Sequence, residues 1–304
     1  MKLFLKQVIK DRILILMALP SAIFIILFSY VPLPGIVIAF QRFRYNKGFF
    51  GSPFVGFDNF RFFFISGQAW LVTLHTVLYN VVFIGLGTIL TVMVAIFLSE
   101  LTQKHFKKIT QSLMFLPYFI SWVTGAALFY GLFNYEYGIL NNVLKSLGSA
   151  PMDIYNDPNI WPFIIVAANI WKGIGYGAVY YLAAIVGVDE EQFEAAKIDG
   201  ANIFQKILYV TLPNLTPTIV ILVLLSIGGI FRGDFGLFYQ LTGSNPLLYD
   251  KTDIIDTFVF RSLMTTKQEG MAAAVGLYQS VLCFITIMAA NFAVKKYNRD
   301  YSLF

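Results

Sequence analysis

Six apolar runs, at roughly 13–38, 72–98, 109–133, 161–186, 214–231 and 270–294, leave only short polar intervals between them. A helix rises about 1.5 Å per residue, so runs of this length cross the roughly 30 Å of hydrocarbon in a bilayer. Hydrophobic residues make up 58% of the 304 positions and charged ones only 13%, too little polar surface for a soluble domain of this size. The expected fold is all-α: a polytopic membrane protein with about six transmembrane helices, forming a single domain over 1–304. The intervals 41–71, 134–160 and 232–269 are too short for large separate domains and suit a scoop or plug over one face.

Lys2, Lys6, Lys10 and Arg12 precede the first run, which is too long for a signal peptide and reads as a retained transmembrane helix. An even number of spans puts both termini on one side. With the N-terminus inside, twelve Lys and Arg lie on inner segments and nine on outer ones. That excess, led by the N-terminal cluster, places both termini in the cytoplasm. The net charge of +5 gathers at span ends, so topology accounts for it and nucleic acid does not. Cys283 is the single cysteine, and His75 and His105 are the only histidines, which excludes an intrachain disulfide and a His/Cys metal cluster. Trp70, Trp161 and Tyr130 lie near span ends, where amphipathic rings anchor at the interface.

The polar interval at 189–213 carries the densest cluster of carboxylates. Asp189 suits a helix N-cap, Gln192 stands where a capping box needs it, and Glu190, Glu191 and Glu194 favour a helix N-terminus. Ala195 and Ala196 leave a surface that another backbone can approach closely. Gly200 fits the left-handed position that ends a helix. Ile203, Phe204, Ile207 and Leu208 then mark a second amphipathic stretch, which Leu212-Pro213 is expected to stop. The spacing Glu194-Ala195-Ala196, Asp199-Gly200-Ala201 and Leu212-Pro213 resembles the EAA loop of ABC importer permeases, with Val210 where that pattern prefers Ile. The resemblance implies a cytoplasmic helix-turn-helix that docks on an ATPase subunit.

Lys172 lies 11 residues into the fourth run, about 17 Å along a helix and so near mid-membrane. An ammonium at that depth needs a polar pathway, a partner or carbonyls. Asn169, Lys172, Tyr176 and Tyr180 share one helical face, which suits either the lining of a passage for a hydroxyl-rich solute or a subunit-interface latch. Asn80, Tyr118, Trp122, Trp171 and Gln279 are further candidates for the path. Gly173, Gly175 and Gly177 lack the strand and acidic context of a dinucleotide loop, and Gly173 with Gly177 suits close helix contact.

Val55 to Phe60, Phe115 to Tyr118, Asp250 to Phe260 and Met271 to Ser280 resemble the LplB-like branch of the carbohydrate (maltose-type) importer permeases. This implies one of two related permeases in the bacterial cell membrane, importing oligosaccharides or complex glycan fragments. The partners implied are a second homologous permease, two ATP-binding subunits and an extracytoplasmic solute-binding (lipo)protein, with lipid around them. No Walker-type loop is present, so ATP and Mg are expected on the partner subunits and this chain is expected to be non-catalytic. The rival readings are the same machine carrying a polyol or peptide, an ion-coupled transporter using Lys172, and a scaffold that does not transport.

Overall fold

The computed structural model describes residues 10–297. Those residues form helices and connecting loops, with an isolated bridge between Gln41 and Phe54 as the described β-pairing. We label the main helices α1 (Arg12–Phe40), α2 (Asp58–Ile65), α3 (Gln68–Glu100), α4 (Lys104–Phe119), α5 (Trp122–Phe133), α6 (Ile139–Ser146), α7 (Trp161–Val186), α8 (Glu190–Ile198), α9 (Ile203–Gly228), α10 (Phe235–Leu241), α11 (Ile255–Met264) and α12 (Glu269–Tyr297). Five of them, α1, α3, α7, α9 and α12, are long and apolar enough to cross a membrane, and α4 with α5 gives a sixth crossing if the bent pair is counted as one. Expectation and fold agree on an all-α, polytopic protein.

The bilayer explains where the apolar side chains go. Every residue from Arg12 through Pro34 is exposed, including Leu16, Met17, Phe24 and Phe28. A continuous apolar surface of that length is tolerated in lipid or under a partner, not in water. Inside the bundle, α3 packs along α7 through Val92, Ala95, Leu98, Ala178, Tyr181 and Leu182, and Leu215 of α9 closes that core. Small side chains set the approach. A Cβ on Gly177 would lie 2.9 Å from Thr91 Cγ2, and one on Gly175 would overlap the Met114 carbonyl of α4. The close contacts thus come from Gly175 and Gly177, whereas Gly173 faces open space; the expected Gly173–Gly177 seam does not form.

Two expected spans have different boundaries. The run 109–133 is not one helix: α4 and α5 meet at 99° across Ile120 and Ser121. Pro117 has no N–H to donate, Ile120 is extended at φ −74° and ψ 124°, and Ser121 caps α5 by accepting from the Thr124 N–H at 3.2 Å. The fifth span runs Ile203–Gly228, not 214–231, and Leu212-Pro213 does not stop it. A wider π-helical turn at Ile207–Thr211 carries the chain into Pro213, where the missing N–H is accommodated without ending the helix.

The intervals 41–67, 134–160 and 229–268 fold largely as short helices. Trp161, expected as an interface anchor, is fully buried and donates from Nε1 to the Ile154 carbonyl at 2.9 Å, in a core with Leu237, Phe238 and Leu248. Trp70 and Tyr130 remain exposed. His75 Nδ1 lies 3.0 Å from the Asp253 carbonyl oxygen, and Cys283 is buried in α12.

Candidate functional site

At one end of the bundle, α8 and the first turns of α9 form the loop singled out by its carboxylates. Asp189 caps α8 by accepting from the Glu191 N–H at 3.1 Å. The expected capping box with Gln192 is absent, because the Gln192 side chain accepts from Asn214 Nδ2 at 2.8 Å. The box is formed one helix later, where Asn202 and Gln205 exchange bonds of 2.9 Å at the start of α9. Between the helices, the Ala201 N–H donates to the Ala196 carbonyl at 2.9 Å and the Gly200 N–H to Lys197 at 3.2 Å. That pair of bonds is a Schellman turn, and it holds Gly200 at φ +75°.

Glu194, Ala195, Asp199, Gly200 and Pro213 are exposed on this loop, while Ala196 is half-buried and Leu212 packs toward the α3–α7 core. Around them Ile198, Phe204 and Tyr209 stand 86%, 78% and 73% exposed. Apolar side chains thus stand uncovered by the described residues beside a charged helix. Sequence reasoning overlooked Ile198 and Tyr209, although their position within the loop was a usable signal. It also overlooked two ties that orient the loop: Asn214 to Gln192, and an ion pair of 2.6 Å between Lys206 and Glu100 at the end of α3.

Within the bundle lies a cavity of about 600 Å³ between α3, α7 and α9. Asn80, Asn169 and Tyr180 line it, together with Thr88, Ser226 and Asp234, which the sequence did not single out. The remaining path candidates, Tyr118, Trp122, Trp171, Lys172, Tyr176 and Gln279, are not among its lining residues. Lys172 sits at the α4–α5 break. Its ammonium donates to the carbonyls of Pro117 at 3.3 Å, Tyr118 at 2.9 Å and Ile120, all on the frayed end of α4. Its nitrogen also lies 5.2 Å from the Trp122 ring centre. A cation there is the donor to the Tyr118 and Ile120 carbonyls, adds to the Ile120 N–H on the Pro117 carbonyl, and complements the negative end of the α4 dipole. Tyr176 stacks on Tyr118 with ring centres 4.0 Å apart and accepts a hydrogen bond from the Tyr180 hydroxyl at 2.7 Å. Trp171 points to a separate apolar cavity with Leu128 and Phe129.

The other polar candidates hold irregular backbone. Asn80 Nδ2 donates to the Ile230 and Arg232 carbonyls, both at 3.0 Å, just past the end of α9. Gln279 Nε2 donates to the Phe231 carbonyl at 2.7 Å and to Asp256 Oδ2 at 3.0 Å, and that carboxylate also accepts from the Gly233 N–H. Burial pushes the Asp256 carboxyl above the usual carboxylate range, against the opposing pull of those hydrogen bonds. Trp122 Nε1 donates to Asp234 Oδ2 at 2.7 Å. Loop 229–234, at the cavity edge, is therefore clamped from α3, α5, α11 and α12, which satisfies non-helical backbone next to a membrane span.

The chain can be compared with proteins already known. A family model described as the binding-protein-dependent transport system inner membrane component matches residues 87–299. The chain is 31% identical to Protein LplB of Bacillus subtilis (strain 168) over 291 residues, covering 96% of this chain and 91% of that protein. It is 32% identical to the polygalacturonan/rhamnogalacturonan transport system permease protein YteP of the same organism, over 98% of this chain and 92% of that one. Among solved structures it superposes with a TM-score of 0.88 and 28% identity on a chain of a bacterial ABC transporter involved in the import of the acidic polysaccharide alginate. That match covers 98% of this chain and 100% of the other. The match over most of the length, the bundle and the exposed loop agree: the chain belongs to the family of inner membrane components of binding-protein-dependent transport systems.

Proposed function

We propose that this chain is one of two permease subunits of an ATP-binding-cassette importer for oligosaccharides or complex glycan fragments. The observation that carries the reading is the α8–turn–α9 loop. Glu194, Ala195, Asp199 and Gly200 stand exposed on a rigid Schellman turn, ringed by Ile198, Phe204 and Tyr209. An element held by these bonds, with apolar side chains that the described residues leave uncovered, suits a partner that pushes and pulls on it. In this reading two ATP-binding subunits hold ATP and Mg, and their closure moves the loops of this chain and of a second, homologous permease. The chain acts as one transmembrane permease domain over 1–304 in a bacterial cell membrane, with both termini and the loop in the cytoplasm. It has no catalytic site of its own.

The choice of glycans is supported by relatives named for polygalacturonan/rhamnogalacturonan transport and by the alginate importer, one structure of which includes an alginate pentasaccharide-bound periplasmic protein. A cavity edged by amide, hydroxyl and phenol groups suits a hydroxyl-rich solute. By the same reading, a solute-binding protein delivers the glycan at the face opposite the loop.

The test is uptake into vesicles holding the complete complex, with short oligogalacturonides and maltodextrins as probes. ATP-dependent accumulation that survives an ionophore is expected. Accumulation driven by an ion gradient without ATP would overturn the reading. In the same complex, Glu194→Cys should crosslink to an ATPase subunit; free reaction with a bulky thiol reagent would remove the loop from the coupling role.

A further inference from the structure

A second cavity, of about 350 Å³, lies between α10, α11 and the segment joining them, apart from the cavity in the bundle. Its lining includes the rings of Tyr239, Tyr249 and Phe260 and the polar side chains of Asp253, Thr257 and Arg261. Neither the coupling loop nor the bundle cavity uses these groups. We propose that this cavity is an outer subsite for one pyranose unit of the incoming glycan, in which Tyr239 supplies the stacking face and Arg261 the hydrogen-bond fork.

The wall is rigid before anything binds. Tyr239 is stacked on Phe235 with ring centres 4.9 Å apart and is met edge-on by Phe260, also at 4.9 Å. A ring fixed in this way loses little conformational freedom when a ligand covers it. The axial C–H bonds of a pyranose form an apolar face that matches such a ring, while the hydroxyls at its edge need directional partners. The polar side of the lining is equally fixed. Arg261 donates to both oxygens of Asp253, at 3.0 and 2.5 Å, and the Thr257 hydroxyl donates to Asp253 Oδ1 at 2.7 Å. The guanidinium also lies 4.3 Å from the Tyr249 ring centre. Two of its N–H groups are spent on Asp253, and the planar fork offers more to a sugar oxygen. Asp253 is almost fully buried, and its pairing with Arg261 neutralises that side of the cavity, which favours a hydroxyl-bearing ring over a bare ion.

Placement links the subsite to the passage. Asp234 lines the bundle cavity and caps α10 by accepting from the Leu237 N–H at 3.1 Å. Tyr239 follows on the same helix, about 7.5 Å further along its axis. One short helix thus carries a residue of the bundle cavity's lining at its start and the stacking ring of the subsite near its end.

The inference rests on the glycan reading above, and its test separates the two. Uptake of oligogalacturonides and maltodextrins is compared in vesicles carrying the unmodified complex, Tyr239→Ala and Tyr239→Phe. Loss of one stacking face should raise KM about tenfold in Tyr239→Ala, leaving the maximal rate and basal ATP hydrolysis unchanged. Tyr239→Phe keeps the ring and should restore the unmodified KM. An unchanged KM in Tyr239→Ala, with the unmodified complex transporting normally, removes the subsite alone. If the unmodified complex accumulates neither sugar, the glycan reading fails and the subsite falls with it. Equal weakening of the capture of sugar-free binding protein by Tyr239→Ala would make the cavity a protein socket and overturn the proposal. So would a loss of assembled complex shared by both variants, since the ring would then be structural packing.

Discussion

Replacing Lys172 with Met keeps the length of the side chain and removes the ammonium that holds the α4–α5 break. Three hydrogen bonds are then lost at once: the Tyr118 and Ile120 carbonyls lose their donor, and the Pro117 carbonyl keeps only the Ile120 N–H. Hydrogen bonds from a charged group contribute about 1.5–3 kcal/mol each, and three on one ammonium are not additive. Against that loss, the variant no longer carries a charge at membrane depth, which relieves about 3 kcal/mol. The balance is a destabilisation of about 3 kcal/mol, concentrated at the break. Because the break also positions Trp122 against Asp234, loosening it should disturb loop 229–234 and with it the cavity edge. The assay is thermal unfolding of the purified complex, read beside the yield of assembled subunits and the uptake rate. Lys172→Met should lower the midpoint by several degrees and reduce yield whatever solute is offered, while Lys172→Arg should recover most of both. A Lys172→Met complex that assembles with full yield, melts within about one degree of the unmodified one and shows only altered solute selectivity would refute this. Lys172 would then act on the solute directly.

Gly200→Val should uncouple ATP hydrolysis from solute while leaving the bundle folded. The site has open space for a Cβ, so the strain comes from φ +75° alone, and a β-branched residue there destabilises the turn by about 1–2 kcal/mol. Solute-stimulated ATP hydrolysis at the unmodified level in that variant would show that the turn geometry is not needed. Asp256 supplies a pH test. Its folded-state pKa is raised, so over the range just above the usual carboxylate pKa the folded state binds more protons than the unfolded one, and stability falls as pH rises. Asp256→Asn should flatten that part of the stability profile, as measured by thermal shift across mildly acidic buffers, and an unchanged slope would contradict the assignment.

Much of this protein is written locally in the chain. Long apolar runs determine that helices cross a membrane, because backbone polar groups in hydrocarbon must be satisfied within the segment. The Ala195-Ala196 surface and the left-handed turn at Gly200 follow from side chains of no size and from the one residue without a Cβ. The positions of the polar groups were legible, but their partners were not. Asn169, Lys172, Tyr176 and Tyr180 do lie along one face of α7, yet the fold divides that face. Asn169 and Tyr180 meet the cavity, Lys172 meets carbonyls more than fifty residues earlier in the chain, and Tyr176 meets the ring of Tyr118. Periodicity reports direction around a helix axis and says nothing about which neighbour fills each sector. The 99° break was hidden for a related reason: apolar residues flank Ile120 and Ser121 on both sides, from Leu113 to Phe119 and from Trp122 onward, so nothing in the pattern marks the bend. Only packing reveals that a lysine from another helix is at hand to satisfy the freed carbonyls. The sequence by itself determined the solvent, the helical class and the turn. Tertiary structure decided which polar groups bind backbone and which face open space, since those pairings join residues distant in the chain and depend on how closely the helices approach.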